Sequence, residues 1–264
     1  MPEGDSYVRA ADRARPVLIG NEITDVGGSA PEIRARSEAL IGATATDVRT
    51  QGKHLLIDVD SGYTIHIHLG MPGRVRTTSP GGRPGADPGA VRLALTTAVG
   101  TMWVIAAPTV EVRRRKVVEK DLEQIGPDVL AAEFDWERYE EMASRYPAER
   151  TVSDFLLDQR VMAGIGNVYK CEVLFLEGID PRRSMSAVDM ETRTALARRA
   201  RRLMMPNAGR SVRSTIGRPG GGTWVYKRAG KPCRRCGTAI DEGWVGEPAR
   251  LTYWCPTCQP AEVA

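Results

Sequence analysis

Long apolar runs are absent from these 264 residues, and so is a charged-then-apolar leader at the start. Neither membrane spanning nor secretion is expected on that basis. No internal repeat is visible. Aromatic residues are sparse, and histidine is nearly missing: the three are His54, His66 and His68, all on stretches that read as strands. His66 and His68 share one strand face with no third ligand in view, so no metal is assigned to them. His54 reads as a structural or surface residue. Cysteine is limited to five residues, four of them in two Cys-x2-Cys pairs. That usage fits a reducing cytoplasm and a metal site better than a disulfide scaffold.

What is present is ordinary globular material. Hydrophobic content of 42% with 27% charge, over a length sufficient for one large or two ordinary domains, allows a real core without staples. The net charge of +4 is unevenly spread. From Thr151 onward there are 18 Lys and Arg against 11 Asp and Glu, a surplus of +7; the first 150 residues hold 19 against 22, or −3. A basic C-terminal half suits a polyanionic partner, although a solvated basic surface gives the same count.

Along the chain, Tyr7, Ala10, Ala11, Ala14 and Leu18 recur at helical spacing. They predict a helix from Asp5 to about Arg15, capped by Asp5 and ended or kinked by Pro16. The runs His54–Asp60, Tyr63–Leu69, Val91–Thr97 and Thr101–Ala106 alternate or are rich in β-branched residues, with turn signals between them, and a Pro/Gly loop spans Ser79–Gly89. Several short strands so closely spaced predict an antiparallel sandwich or barrel. After about Gly126 the pattern turns helical. Helices are expected over Asp135–Arg145, Thr151–Asp158 and Val168–Glu177, the last closed by Gly178. Another runs to about Met205, with Ser186 as its cap and Arg198, Arg199, Arg201 and Arg202 along it. Gly217–Gly222 reads as a linker to a cysteine-paired hairpin.

Three stretches carry chemistry. The pairs Cys233-x2-Cys236 and Cys255-x2-Cys258 can set four thiolates around one Zn²⁺. With all four positions filled by protein, the ion is structural and has no open position for water. Cys171, alone on a helix, reads as a small buried hydrophobe. Between the helices at 151–158 and 168–177, Gly164 and Gly166 let backbone N–H groups approach a phosphate at the start of the next helix, near Asn167. The third stretch is the N-terminus. With Met1 removed, the chain starts with the secondary amine of Pro2. An α-amino group titrates near pH ~8, so part of it is a neutral nucleophile at physiological pH. Attached to a sugar aldehyde carbon, it can form only the charged iminium, a strong electron sink. Glu3 places a carboxyl acid/base beside it. Lys53, where a turn enters a strand, reads as an ordinary solvent lysine when taken alone.

Together these stretches resemble the formamidopyrimidine-DNA glycosylase / endonuclease VIII family. The resemblance covers nearly the whole chain. It rests on Met1-Pro2-Glu3-Gly4-Asp5, Gly52-Lys53-His54-Leu55-Leu56 and His68-Leu69-Gly70-Met71. It continues in Leu157-Asp158-Gln159 with Ala163-Gly164-Ile165-Gly166-Asn167-Val168-Tyr169, and in Arg250-Leu251-Thr252-Tyr253-Trp254-Cys255-Pro256-Thr257-Cys258-Gln259. The stretch from Arg160 to Gly178 looks especially similar to actinobacterial endonuclease VIII-like members. The resemblance implies an α+β fold: an N-terminal antiparallel β-sandwich (1–126), a helix–two-turns–helix domain (127–222) and a zinc-finger hairpin (223–264). It implies a bifunctional DNA glycosylase and abasic-site lyase of base-excision repair, ending in β/δ-elimination. The protein would be a monomer acting on damaged DNA, cytoplasmic and associated with the nucleoid. Pro2 would attack C1′ of the damaged nucleoside and Glu3 would move protons. Lys53 would contact a phosphate or the damaged nucleotide and assist elimination. Asn167 and Arg250 would bind the flanking phosphates, and Met71 would fill the gap left by the flipped nucleotide.

The departures bear on the substrate. The branch that reads oxidised purines has an Arg-Phe pair where this chain has Ala107-Pro108-Thr109-Val110-Glu111, and its long lesion-capping loop has no room between Thr215 and Cys233. Asp5 after Gly4 resembles the pyrimidine branch; His68-Leu69-Gly70-Met71 resembles the purine branch. Oxidised pyrimidines are therefore the expected substrates. Three alternatives remain: an abasic-site lyase without base excision, a non-catalytic damaged-DNA-binding protein with a zinc finger, and an RNA-binding ribosome-associated module. Pro2-Glu3 with Lys53 argues against the second, and the long β-region against the third.

Overall fold

Alternating sequence becomes sheet wherever one strand face can be buried, and the first half of this chain follows that rule. The computed structural model describes residues 2–218 and 220–261. The chain divides after Gln124 into two units, each with its own core. In the first, helix α1 (Gly4–Leu18) precedes β1 (Asp25–Gly27), β2 (Ala45–Gln51), β3 (His54–Val59), β4 (Tyr63–His68), β5 (Arg74–Thr78), β6 (Val91–Thr97), β7 (Gly100–Ile105) and β8 (Thr109–Arg114). They form two antiparallel four-stranded sheets, ordered β1-β6-β7-β5 and β2-β3-β4-β8. Leu55 and Ile57 of β3 and Ile65 of β4 meet Leu93 and Leu95 of β6 and Val104 of β7 in one core, each contributing roughly 1.5–3 kcal/mol by burial. The result is the expected sandwich, with α1 packed on strands of both sheets.

Three details of the first unit differ from expectation. Glu3, not Asp5, is the N-cap of α1. Its backbone N–H donates to Ser6 Oγ at 3.4 Å, and its carbonyl accepts from the Ser6 N–H at 2.7 Å. Asp5 lies inside the first turn, buried, where unsatisfied helix N–H groups favour an acid. Pro16 does not end α1, which runs on to Leu18. So near the C-terminus, the hydrogen bond that Pro16 cannot donate is a small loss. Two short helices were not expected: α2 (Pro31–Arg36), started by proline at its first position, and α3 (Arg115–Leu122), which buries only Val118 and Leu122. Neither is long enough to show a clear apolar period.

The second unit is helical. Helices α4 (Trp136–Ser144), α5 (Val152–Leu157), α6 (Asn167–Glu177) and α7 (Met190–Met204) are followed by the antiparallel hairpin β9 (Asp241–Val245) and β10 (Arg250–Trp254). Gly178 closes α6 with φ 71°, as expected. Asp189, not Ser186, caps α7: its Oδ1 accepts from the Thr192 N–H at 2.8 Å. Ser186 sits one turn earlier, in a short 3-10 turn capped by Ser184. The arginines of α7 are largely consumed by the fold. Arg201 donates to the carbonyls of Val129 and Ala131, Arg199 pairs with Glu177, and Arg198 stacks over Trp136. Helix α6 is buried on two faces. Tyr169, Val173 and Leu174 enter the helical core, while Cys171 and Phe175 enter a second core with Val225, Ile240 and Tyr253 of the hairpin region. Cys171 is thus the small buried hydrophobe its setting suggested. Among the described residues, no helix is long and apolar enough to cross a membrane.

Candidate functional site

Within the first unit, the His68 ring lies beside Tyr7 of α1 and His54 of β3. Helix α1 brings half-buried Pro2 and fully buried Glu3 at its start. One turn on, the Tyr7 hydroxyl accepts from the Leu69 N–H at 2.8 Å. Burial pushes that hydroxyl above its usual range, against the pull of the Leu69 and Gly70 amides. The start of α1 is thereby fastened to the loop at residues 69–73. Gly70 has φ +59°, and a Cβ there would lie 2.7 Å from Pro108 Cγ, so only glycine fits. At the tip of this tight loop Met71 stands 72% exposed, a large apolar side chain in water. Lys53 is the second residue of the two-residue turn joining β2 to β3, with Gly52 at φ +56° before it and Gln51 paired to His54 around it.

The three histidines lie together beside Lys53. His54 Nδ1 and His66 Nε2 are 2.7 Å apart, a hydrogen bond whose donor is set by the tautomer. His66 Nδ1 faces Glu111 Oε2 at 3.7 Å, and the His68 ring centroid lies 5.7 Å from that of His54 and 6.1 Å from that of Tyr7. Burial, then His66, His68 and Lys53, pushes His54 down to about 3. Burial also lowers His66 and His68. His54 is therefore a half-buried member of this group, the structural one of its two readings. The sequence carried half of the signal, the i, i+2 spacing of His66 and His68; the neighbouring strand supplies the third ring. Opposite β4, the stretch at 107–111 is strand β8 from Thr109, with Val110 buried in the core.

The second unit gathers its own set. Between α5 and α6 two turns are stapled by Gln159, whose Nε2 donates to the carbonyls of Leu157 (2.7 Å) and Ile165 (3.1 Å) while its Oε1 accepts from the Gly164 N–H (2.9 Å). Gly164 has φ +107°. At the start of α6, Asn167 Nδ2 donates to the Leu251 carbonyl at 2.7 Å, and its buried Oδ1 has no partner among the described residues. The helix start and hairpin strand β10 are thereby joined one residue from exposed Arg250. Fully buried Lys170 donates from Nζ to Thr252 Oγ1 (2.6 Å), which donates in turn to the Arg250 carbonyl (2.8 Å). Fully buried Glu172 accepts from Thr215 Oγ1 and from the N–H groups of Trp224 (2.7 Å), Val225 (2.9 Å) and Tyr226 (2.9 Å). Burial raises its carboxyl while these donors lower it, with a net rise. Gln159, Lys170 and Glu172 went unassigned in the sequence, although two charges inside the apolar run Val168–Leu176 were a visible signal.

Among the described residues, one group can hold a metal ion: Cys233, Cys236, Cys255 and Cys258, whose sulfurs all lie within 4.8 Å of one another. The structure thus assembles the four cysteines, and joins the segments of Asn167 and Arg250. It sets Pro2-Glu3, Lys53 and Met71 on neighbouring features of the first unit.

Comparison with known proteins agrees. Residues 1–108 match the family model of the formamidopyrimidine-DNA glycosylase N-terminal domain, and residues 125–215 that of the formamidopyrimidine-DNA glycosylase H2TH domain. A probable endonuclease 8 2 of Streptomyces coelicolor is 38% identical over 98% of this chain and 94% of its own length. A DNA-(apurinic or apyrimidinic site) lyase of Mycolicibacterium smegmatis is 38% identical over 99% of this chain and all of its own, and an endonuclease 8 of Escherichia coli is 30% identical over 98% and 100%. In fold, the chain superposes on Lactococcus lactis Fpg complexed with abasic-site DNA, with a TM-score of 0.82 at 22% identity, covering 98% of this chain and 100% of that one. With relatives this similar along their whole lengths, the chain belongs to the formamidopyrimidine-DNA glycosylase and endonuclease 8 family of base-excision-repair DNA glycosylases and abasic-site lyases.

Proposed function

We propose that this protein removes oxidised bases from DNA, pyrimidines in preference to 8-oxoguanine, and cleaves the resulting abasic site through a Schiff base on Pro2. The observation that carries the reading is the start of the chain, where Pro2 directly precedes a buried glutamate that caps α1. Pro2 nitrogen bonds to C1′ as the damaged base leaves, and Glu3 supplies and removes protons. The sugar ring opens to the iminium. That electron sink acidifies C2′, so β-elimination breaks the C3′–O bond and δ-elimination then releases the 5′ phosphate. Lys53 assists elimination. Asn167 and Arg250 take the flanking phosphates, each by its N–H donors. Met71 enters the stack where the nucleotide has left. The Cys233, Cys236, Cys255 and Cys258 thiolates hold one structural zinc ion. Their nearest sulfurs are 3.5 and 3.9 Å apart, and tetrahedral Zn–S bonds of ~2.3 Å correspond to sulfur separations of about 3.8 Å. Residues 1–126 serve as the catalytic domain, 127–222 as the helix–two-turns–helix domain and 223–264 as the zinc finger. The protein works as a monomer, in the cytoplasm at the nucleoid.

Two experiments test this. Borohydride added to protein and abasic-site DNA is expected to trap a covalent adduct at Pro2, and a blocked N-terminus is expected to abolish it. Full trapping by the blocked protein would assign the nucleophile elsewhere, with Lys53 the first alternative. Lesion preference is read by single-turnover excision from duplexes carrying thymine glycol, 5-hydroxycytosine, dihydrouracil or 8-oxoguanine opposite cytosine. Damaged pyrimidines have lost stacking and cost less of the few kcal/mol that flipping takes. Faster release of 8-oxoguanine than of every pyrimidine lesion would overturn the preference. The relative named as an abasic-site lyase supports a second reading, a lyase without base excision. Cleavage of preformed abasic sites alone would select it.

A further inference from the structure

The cysteine cluster can hold only one end of the β9–β10 hairpin. Cys255 follows β10 directly, whereas Arg250 starts that strand at the opposite end, next to the turn 246–249. At ~3.4 Å per residue, the turn lies well beyond any bond to a metal. Strand pairing joins β9 to β10 at this end, and a carboxylate ties the turn to the helical core. Asp154, in the first turn of α5, divides its two oxygens. Oδ2 accepts from the N–H (3.2 Å) and Oγ1 (2.8 Å) of Thr151, completing the cap of α5. Oδ1 accepts from the Glu247 N–H at 2.7 Å. Gly246, at φ +87°, lets the turn come this close: a Cβ there would overlap Asp154 Oδ1 and sit 3.0 Å from Cγ. The nearby ion pair of Arg150 with Glu247 is exposed and contributes little.

We propose that Asp154 is a positioning residue for DNA binding: with Gly246 it latches the hairpin turn to α5 and so sets Arg250 against its phosphate. This rests on the phosphate role of Arg250 proposed above. Without the latch, this end of the hairpin would be held to α6 by the Asn167–Leu251 bond and, within the hairpin, by Thr252 Oγ1 and the pairing of Arg250 with Val245, with nothing tying its turn to α5 but the exposed Arg150–Glu247 contact. The guanidinium would then have to be ordered at the moment of binding, which lowers affinity.

Two substitutions separate the latch from the cap. Gly246→Ala keeps the Thr151–Asp154 box and displaces the turn. Thr151→Val removes the cap hydroxyl and leaves Asp154 Oδ1 facing the Glu247 N–H. The zinc-loaded protein is titrated with a duplex carrying a stable abasic-site analogue, between 50 and 200 mM salt. Arg250→Ala is expected to weaken binding on the order of tenfold and to reduce the log–log salt slope by about 0.9. Gly246→Ala should reproduce most of both changes, and the double variant should bind no more weakly than Arg250→Ala. Thr151→Val should bind within about twofold of the unsubstituted protein while its thermal midpoint falls, since a cap typically contributes about 1 kcal/mol. Additivity of Gly246→Ala with Arg250→Ala, or a tenfold loss in Thr151→Val, overturns the latch and leaves the Arg250 reading intact. An Arg250→Ala variant with unchanged affinity and slope removes the Arg250 reading, and the latch with it.

Discussion

His54 illustrates how a single residue's environment decides between two readings, structural and surface. A free imidazole titrates near pH ~6.5; in the fold His54 is pushed down to about 3, by burial first and then by His66, His68 and Lys53. Between those values the unfolded chain binds a proton that the folded one refuses. The stabilising contribution is therefore complete above the unfolded value and is lost as pH falls from about 6.5 toward 3. We expect the His54 imidazole to be neutral at pH 5 by ¹⁵N NMR, and the first unit to lose stability to urea as pH falls below about 6. His54→Asn should flatten that dependence. A His54 titration near 6.5 would disprove the neutral hydrogen-bonded pair. The burial of His54 could not be read locally, because it is imposed by a ring from the next strand, 12 positions away.

Helix α6 makes the same point for an element. Its span and its glycine stop were legible, because helical spacing and a left-handed terminator are local properties. The role of its buried charges was not. Glu172 is met by four donors, three of them backbone N–H groups 52 to 54 positions away. In Glu172→Gln an amide would turn protons toward N–H groups that need an acceptor. This should cost about 1–3 kcal/mol, the usual penalty of an unsatisfied buried group. The measurements are the denaturation midpoint and amide exchange at Trp224, Val225 and Tyr226, which should lose protection first. Unchanged protection there would mean that this segment is held by packing and not by the carboxylate.

For the whole molecule, the two units should respond differently to metal loss. Structural zinc contributes folding energy directly. Removing it by chelation should release the cysteine-paired segment to protease while the first unit, with its separate core, keeps its melting transition. Affinity for abasic DNA should fall much more than overall stability. Undiminished affinity of chelated protein would exclude the hairpin from the DNA contact.

Apart from the short helices α2 and α3, the sequence alone determined the kinds of element, the sandwich followed by helices, the four-cysteine cluster and the family, because alternation, helical spacing, Cys-x2-Cys pairing and contiguous motifs are properties of neighbours along the chain. It also misplaced two helix caps, since several nearby residues could cap and only the folded backbone selects one. Tertiary structure alone decided which polar groups answer each other. Tyr7 ties to Leu69 across 62 positions, Asn167 to Leu251 across 84, and Asp154 to Glu247 across 93. A buried donor must find an acceptor somewhere, but which distant segment supplies it depends on how the sheets and helices pack, and no local pattern records that.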